Sequence, residues 1–127
     1  MANYVHIPSY GSNKSGRINH ETVKVGDITF DSISEKDRYL ELIIMERAGT
    51  ITNLRCHPEY ELIPTQRIPG KPTLRRHRYT ADFEYVRDGE LIIEDVKSEY
   101  TRQERDYIIN RKLMLMLKGL YVTEVVR

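Results

Sequence analysis

The Asp88-Gly89 pair constrains this chain more than any other feature, because it determines how two strands align. It stands between residues 77–86 (HRYTADFEYV), rich in aromatic and β-branched side chains, and residues 90–97 (ELIIEDVK), which contain an apolar run. Asp-Gly is typical of a two-residue β-hairpin turn. In such a hairpin Arg87 pairs with Glu90, and each residue before the turn acquires a defined partner after it.

This register divides the charged residues at the end of the second strand between the two faces of the sheet. Counting back from the turn, Phe83 faces Glu94 and Asp82 faces Asp95. Directly opposed side chains point to the same side, with Cβ atoms about 4.5–5.5 Å apart. Because side chains alternate along a strand, Lys97 shares the side of Asp95. Glu94 points away and is predicted to be structural or solvent-facing.

Opposed like charges destabilise a strand pair unless a cation lies between them. Asp82 and Asp95 together therefore indicate a site that binds a cation. Carboxylate oxygens suit Mg²⁺ or Mn²⁺. A lysine beside them, Lys97, would orient a water molecule or stabilise charge on a phosphate. The alternative is a solvated sheet face on which Lys97 neutralises one of two exposed acids. D-x-K alone is a common pattern, and a slip or bulge would remove the support that the register gives it.

The other elements follow from turn and capping patterns. Gly26-Asp27 predicts a short hairpin between residues 23–25 and 28–30, and the capping box of Ser32 and Glu35 begins a helix at about 32–48. Residues 54–63 predict a strand, in which Pro58 indicates an edge or a break. A second helix is predicted from Thr101, which forms a capping box with Glu104, to about Lys118, and residues 120–126 predict a last strand.

After the N-terminal hairpin, the order is helix, three strands, helix, strand. It predicts an α/β fold with a central mixed sheet flanked by helices. Residues 22–127 are predicted to form a single domain, and residues 1–21, rich in Asn, Ser, Gly and Lys, a flexible N-terminal arm.

Composition excludes several classes of protein. The 127 residues carry a net charge of +1, so this is not a DNA-coating basic protein. No apolar run is long enough for a membrane span, and the N-terminus lacks the apolar core of a signal peptide. The single cysteine, Cys56, excludes an intrachain disulfide and fits a reducing cytoplasm.

One stretch, residues 67–78 (RIPGKPTLRRHR), is basic and contains no acid. It is predicted to be a loop, and it is either a solvated turn or a contact for a polyanion. Its basic residues are Arg67, Lys71, Arg75, Arg76 and Arg78, with His77 among them.

Asp82 followed by Asp95-Val96-Lys97 across a hairpin resembles the PD-(D/E)xK nuclease superfamily, although Ala81 replaces the proline. More closely, GDITFDSISEKDRYLEL, YTADFEY and IIEDVKS look like a family of short phage-encoded proteins placed with Holliday-junction resolvase-like endonucleases. The resemblance covers residues 22 to 125. It implies a restriction-endonuclease-like core and a Mg²⁺-dependent endodeoxyribonuclease acting on branched DNA in the host bacterial cytoplasm.

The resemblance also implies roles for individual residues. Asp82 and Asp95 would hold the metal, with the Val96 carbonyl as a further ligand, and Lys97 would position the attacking water. Glu35 matches the helix glutamate that completes the metal shell, although it is equally a helix cap. Hydrolysis would break the P–O3′ bond and leave a 5′-phosphate.

Further features are implied less directly. Gln103 and Tyr107 match a Q-x-x-x-Y pattern of some exonucleases in the superfamily, and Tyr107 equally fits a core. DNA contacts are expected from the basic stretch and from Arg102 and Arg105, and a homodimer is expected because a junction has two strands to cut. The alternatives are a nicking, flap, restriction-like or exonuclease activity, or an inactive DNA-binding or scaffolding protein.

Overall fold

The computed structural model describes the backbone of residues 4–8 and the whole of residues 21–127. The chain divides into two compact units, Met1–Ile44 and Met45–Arg127. The boundary falls inside the first helix, α1 (Ile33–Arg47). The single domain expected over residues 22–127 stays a prediction.

The first unit contains a three-stranded antiparallel sheet of β1 (Tyr4–Pro8), β2 (Glu21–Val25) and β3 (Ile28–Phe30). Val25 pairs with Ile28, which confirms the hairpin turn at Gly26-Asp27. Strand β1 lies within the segment expected to be a flexible arm. That expectation rested on composition, and the flexibility of the segment stays a prediction. Residues 1–3 and 9–20 of the expected arm lie outside the described residues.

Helix α1 begins as the capping pattern predicts. The Glu35 backbone N–H donates to Ser32 Oγ at 3.0 Å. The Glu35 carboxylate in turn accepts the N–H of Asp31 at 2.8 Å, one residue earlier than a standard capping box requires. Glu35 and Leu42 are both buried, as their shared helical line predicts.

The second unit contains six strands. They are β4 (Thr52–Cys56), β5 (Glu59–Ile63), β6 (His77–Thr80), β7 (Phe83–Arg87), β8 (Glu90–Lys97) and β9 (Val122–Val126). The main sheet has the order β4-β7-β8-β9. Strand β7 is antiparallel to both neighbours, whereas β8 and β9 are parallel. The prediction of a mixed sheet in an α/β fold is therefore confirmed.

The hairpin between β7 and β8 has the predicted register. Arg87 pairs with Glu90, and the ladder continues without a shift to Phe83 and Glu94. Asp88 and Gly89 have φ angles of 52° and 78°, as a type I′ turn requires. The turn residues therefore determine the alignment of the two strands that carry the candidate site.

Two of the predicted strands, 54–63 and 77–86, are each interrupted, so the expectation of three strands between the helices is wrong. The interruptions, His57-Pro58 and Ala81-Asp82, lie opposite each other. The His57 N–H donates to the Asp82 carbonyl at 2.9 Å, and the Ala81 N–H to the Pro58 carbonyl at 3.1 Å. Pro58 has no N–H for a ladder, and His57 has a φ of 53°, which turns the strand.

Beyond these interruptions the two segments of the chain continue as a separate two-stranded sheet of β5 and β6. A further antiparallel bridge joins Gln66 and Leu74 nearer the tip. We refer to residues 59–80 as the β-arm. The basic stretch that was expected to be a loop forms the outer part of this hairpin. Residues 67–76 belong to no strand, as predicted, although Leu74 forms the isolated bridge, whereas His77 and Arg78 belong to β6.

The predicted second helix consists of three parts. They are a 3₁₀ turn (Thr101–Gln103), helix α2 (Arg105–Leu113) and a π-helical segment (Met114–Lys118). The expected capping box at Thr101 is wrong, because its hydroxyl instead accepts the N–H of Ser98 at 2.8 Å. Glu104 has an extended backbone and separates the turn from α2. Gly119, at a φ of 67°, ends the segment as predicted.

Helix α2 packs on one face of the main sheet. The buried cluster there joins strands, helix and arm, and comprises Leu62, Tyr79, Ala81, Ile93, Tyr107, Met114 and Val122. Since Ile93 lies on this face, the alternation along β8 also turns Asp95 and Lys97 towards α2. No helix among the described residues has the length and apolar character needed to cross a membrane.

Candidate active site at the strand interruption

Asp82 and Asp95 are interlocked through backbone amides. The Asp82 N–H donates to Asp95 Oδ1 at 2.9 Å, and the Val96 N–H donates to Asp82 Oδ2 at 2.8 Å. The β7–β8 ladder ends at Phe83, so Asp82 lies one residue beyond it, at the interruption. Each carboxylate is thus oriented by the strand that carries the other, and the structure brings the two predicted acids together.

Asp95 and Glu94 occupy opposite faces of β8, as the register predicts. Asp95 accepts a hydrogen bond from the Tyr79 hydroxyl, whereas Glu94 accepts one from the Tyr85 hydroxyl. Their exposed fractions are 3% and 2%. The solvated-face alternative is therefore wrong for Asp95, and Glu94 is structural and not solvent-facing. Both carboxylates satisfy the rule that a buried charge needs hydrogen-bond partners.

Lys97 lies against helix α2. Its Nζ is 4.2 Å from the centroid of the Tyr107 ring, a distance typical of a cation–π contact. Lys97 and Asp82 are half-buried, in contrast to Asp95. An uninterrupted hairpin register would also pair Lys97 with Thr80. That pairing does not occur, because β6 leaves the main sheet at the interruption. Tyr107 therefore provides the surface against which the Lys97 ammonium is held.

Glu124 was not singled out by the sequence reasoning. The parallel register of β8 and β9 pairs it with Asp95. Its carboxylate contacts Arg102 at 3.1 Å and Arg111 at 3.3 Å. Parallel pairing joins segments that are distant in sequence, so no local pattern signals this cluster. Arg102, expected to contact DNA, is thereby engaged in intramolecular ion pairs, including one with Glu99.

Tyr107 is part of the core as well as a neighbour of the site. Burial first, and then the negative charge of Asp95, raises the pKa of Tyr107 above its ordinary value, with Glu124 adding to the effect. Its hydroxyl is close enough to Glu124 for that influence, yet meets no described atom in good hydrogen-bond geometry. Gln103 is exposed on the 3₁₀ turn, so the Q-x-x-x-Y pair does not lie on one helix.

His57 is another residue that the sequence reasoning passed over, because the four histidines show no metal-ligand spacing. A ring nitrogen of His57 and a carboxylate oxygen of Asp82 lie within 4.8 Å of each other. The two residues are 25 positions apart in sequence and meet only because the interruptions align. The left-handed φ of His57 could not be inferred from its residue type.

Glu35 lies in the first unit, where its contacts are those of a helix cap. Its assignment as a metal ligand stays a prediction. Arg105 is exposed at the start of α2. The basic residues of the β-arm, Arg67, Lys71, Arg75, Arg76 and Arg78, are all exposed.

A family model described as "Protein of unknown function (DUF1064)" matches residues 15–125. The chain belongs to this family. No curated protein and no solved structure gives a significant match. The part of the chain matched to DUF1064 includes Asp82, Asp95 and Lys97 together with the β-arm, so the candidate site lies wholly within the family's region.

Two tyrosines of this DUF1064 chain give its stability a pH dependence. Burial raises the pKa of Tyr60, whose hydroxyl also donates to Glu84 at 2.6 Å, and burial likewise raises that of Tyr107. In the unfolded chain both ionise near pH 10. The folded state retains their protons, so their contribution to stability is complete below about pH 10 and decreases as the pH rises above it.

We therefore expect the free energy of unfolding in urea to decrease as the pH rises from about pH 10 to about pH 11. The Tyr60→Phe/Tyr107→Phe variant should show a smaller decrease, whatever its stability at neutral pH. Tyr100→Phe serves as the control, because Tyr100 is exposed. An equal decrease in the double variant and the wild type would contradict the assignment.

Proposed function

We propose that this protein is a metal-dependent endodeoxyribonuclease that hydrolyses phosphodiester bonds in branched DNA, as Holliday-junction resolvases do. The observation that supports the proposal is the interlocked pair of Asp82 and Asp95 with Lys97 on the same face of the sheet. The Asp95 carboxylate accepts the backbone N–H of Asp82, and the Asp82 carboxylate accepts that of Val96, next to Asp95 in sequence. Two negative charges held close together in this way repel each other, which favours a site that binds a cation.

The donor set fits a hard divalent cation. Asp82 and Asp95 offer carboxylate oxygens, and the Val96 carbonyl points to the same side as its N–H, which donates to Asp82. Oxygen ligands of this kind suit Mg²⁺ or Mn²⁺. A cation bound there would polarise a phosphoryl oxygen and favour deprotonation of water. In the proposal Glu35 completes the ligands.

Lys97 is the residue proposed to act on the water and the phosphate. The Tyr107 ring restricts its ammonium group to one side of the site. From that position Lys97 would orient the attacking water and stabilise the negative charge that develops on the phosphate. The bond broken is P–O3′, which leaves a 5′-phosphate on the product.

Three further parts of the proposal concern fold, assembly and setting. The antiparallel β7–β8 pair followed by the parallel β9 supports a restriction-endonuclease-like core. Cutting two strands of a junction symmetrically favours a homodimer. The setting is proposed to be phage DNA recombination or processing in the cytoplasm of a bacterial host.

The alternatives keep the fold and change the activity. An exonuclease was favoured by Gln103 and Tyr107, and their placement on separate elements removes that support. A binding or scaffolding protein without activity is disfavoured by the intact set of Asp82, Asp95 and Lys97.

Cleavage of a four-way junction and of a linear duplex with matching arms tests the proposal. We expect cleavage of the junction in Mg²⁺ or Mn²⁺, little cleavage of the duplex, and none of either in EDTA. Equal cleavage of both substrates would exclude a junction-resolving enzyme. Tight binding in Mg²⁺ and Mn²⁺ without any cleavage would support the inactive binding protein.

A further inference from the structure

The outer part of the β-arm forms an open groove of about 590 Å³. Its lining combines arginines with threonines: Thr65, Arg67, Thr73, Arg75, Arg76 and Arg78. Guanidinium and hydroxyl groups are donors that match phosphate oxygens. The groove contains no aromatic side chain on which a base would stack, so its chemistry fits a backbone and not bases.

Four of these residues flank one isolated bridge and line the same open face of the arm. The bridge between Gln66 and Leu74 sets Thr65 opposite Arg75 and Arg67 opposite Thr73. All four line the groove, so two guanidinium groups and two hydroxyls are presented on that face. The Thr65 hydroxyl oxygen accepts the Arg76 N–H at 3.2 Å, which leaves its proton available to a ligand.

The four arginines of the groove differ in their acidic neighbours. Arg78 forms an ion pair with Glu59 at 2.8 Å, and Arg76 lies 3.9 Å from Glu61. Arg67 and Arg75 have no carboxylate within 4.0 Å among the residues that the structure describes. The positive charge that a ligand would meet is therefore concentrated on Arg67 and Arg75, a distinction that the basic sequence alone does not make.

We propose that this face of the β-arm is a docking site for a DNA phosphate backbone, that it operates without a divalent metal, and that Arg67 and Arg75 are its main contacts. The inference deepens the proposed function and rests on DNA being the substrate. Arg75 and Asp82 are seven residues apart on one chain, which spans at most about 25 Å. Allowing for the reach of the two side chains, the docked phosphates would thus lie within about one turn of duplex, roughly 34 Å, of the cleaved bond.

Binding of a four-way junction to the purified protein in EDTA tests the proposal as salt is raised. Each phosphate contact contributes about −0.9 to the slope of log K against log salt. The Arg67→Gln/Arg75→Gln variant should lose about two units of slope. Over a four-fold rise in salt its affinity should therefore fall about 10-fold less than that of the wild type. The matched control, Arg76→Gln/Arg78→Gln, removes the same charge from the same arm and should change the slope by less.

Several outcomes would overturn the inference. The first two are an unchanged slope in Arg67→Gln/Arg75→Gln and an equal loss of slope in the matched control. The third is competition by poly-glutamate: if it displaces labelled DNA from the wild type as effectively as unlabelled DNA does, the site is not specific for a DNA backbone. Strong competition by inorganic phosphate at constant ionic strength would also contradict it, because it would indicate a site for a single phosphate. These measurements detect binding and need no cleavage. A negative result for the docking site is therefore distinguishable from a negative result for the proposed nuclease activity.

Discussion

Replacing Asp95 by asparagine is expected to lower metal-dependent cleavage of a four-way junction by at least about 100-fold, since loss even of an indirect metal partner costs 10- to 100-fold. The carboxylate is buried and oriented by the Asp82 N–H. Its negative charge is what a bound cation requires, and asparagine removes that charge. The amide keeps the shape of the side chain. Its oxygen still accepts from Asp82, and its NH₂ group can donate to the Tyr79 hydroxyl.

The chain offers a closely matched control for Asp95→Asn in the neighbouring residue. Glu94→Gln makes the same chemical change at another buried carboxylate that accepts from a tyrosine hydroxyl, on the opposite face of β8. We expect Glu94→Gln to cleave the junction at a rate within a few-fold of the wild type. Circular dichroism and urea unfolding of both variants separate misfolding from loss of chemistry. Full activity in Asp95→Asn, or loss of activity in Glu94→Gln alone, would show that the site has been assigned to the wrong face of β8.

Replacing Lys97 by methionine is expected to lower the rate of cleavage by about 100- to 1,000-fold, the loss typical of removing one donor that stabilises charge in a transition state. Methionine keeps much of the apolar stem that lies against the Tyr107 ring and removes only the ammonium group. Single-turnover rates with saturating enzyme report this step without the contribution of binding.

Two further variants separate the role of Lys97 from a general loss of positive charge. Lys112→Met removes an exposed lysine from α2 and should leave the rate unchanged. Lys97→Arg retains the charge and should recover part of the lost rate. Junction binding in EDTA should be similar for Lys97→Met and Lys112→Met. Cleavage by Lys97→Met at the rate of the wild type would exclude Lys97 from the chemistry.

The part of the candidate site that could be predicted is the part that local turn chemistry determines. Asp88 and Gly89 adopt the two positive φ angles of a type I′ turn, and no other alignment of β7 and β8 is compatible with that turn. The register then assigns Asp95 and Glu94 to opposite faces, which their tyrosine partners confirm. The N-terminal cap of α1 and the end of the second helical region at Gly119 could also be predicted, because each depends on residues within a few positions of it.

The interruptions in the two outer strands were harder to predict. Pro58 indicated a break or an edge, but nothing near Ala81-Asp82 in sequence indicated a second break facing it. The second interruption exists because an antiparallel partner must follow the turn that His57 and Pro58 impose. Asp82 consequently lies at a corner between two sheets and not within a continuous strand.

By itself, then, the sequence determined which residues of β8 share a face, because a two-residue turn and the alternation of side chains act over a few positions. The tertiary structure decided which residues complete each surface. Parallel pairing brings Glu124 beside Asp95, packing of α2 brings Tyr107 beneath Lys97, and the aligned interruptions bring His57 to Asp82. Each of these contacts joins residues from separate elements, and such contacts form only when the whole sheet and its helix assemble.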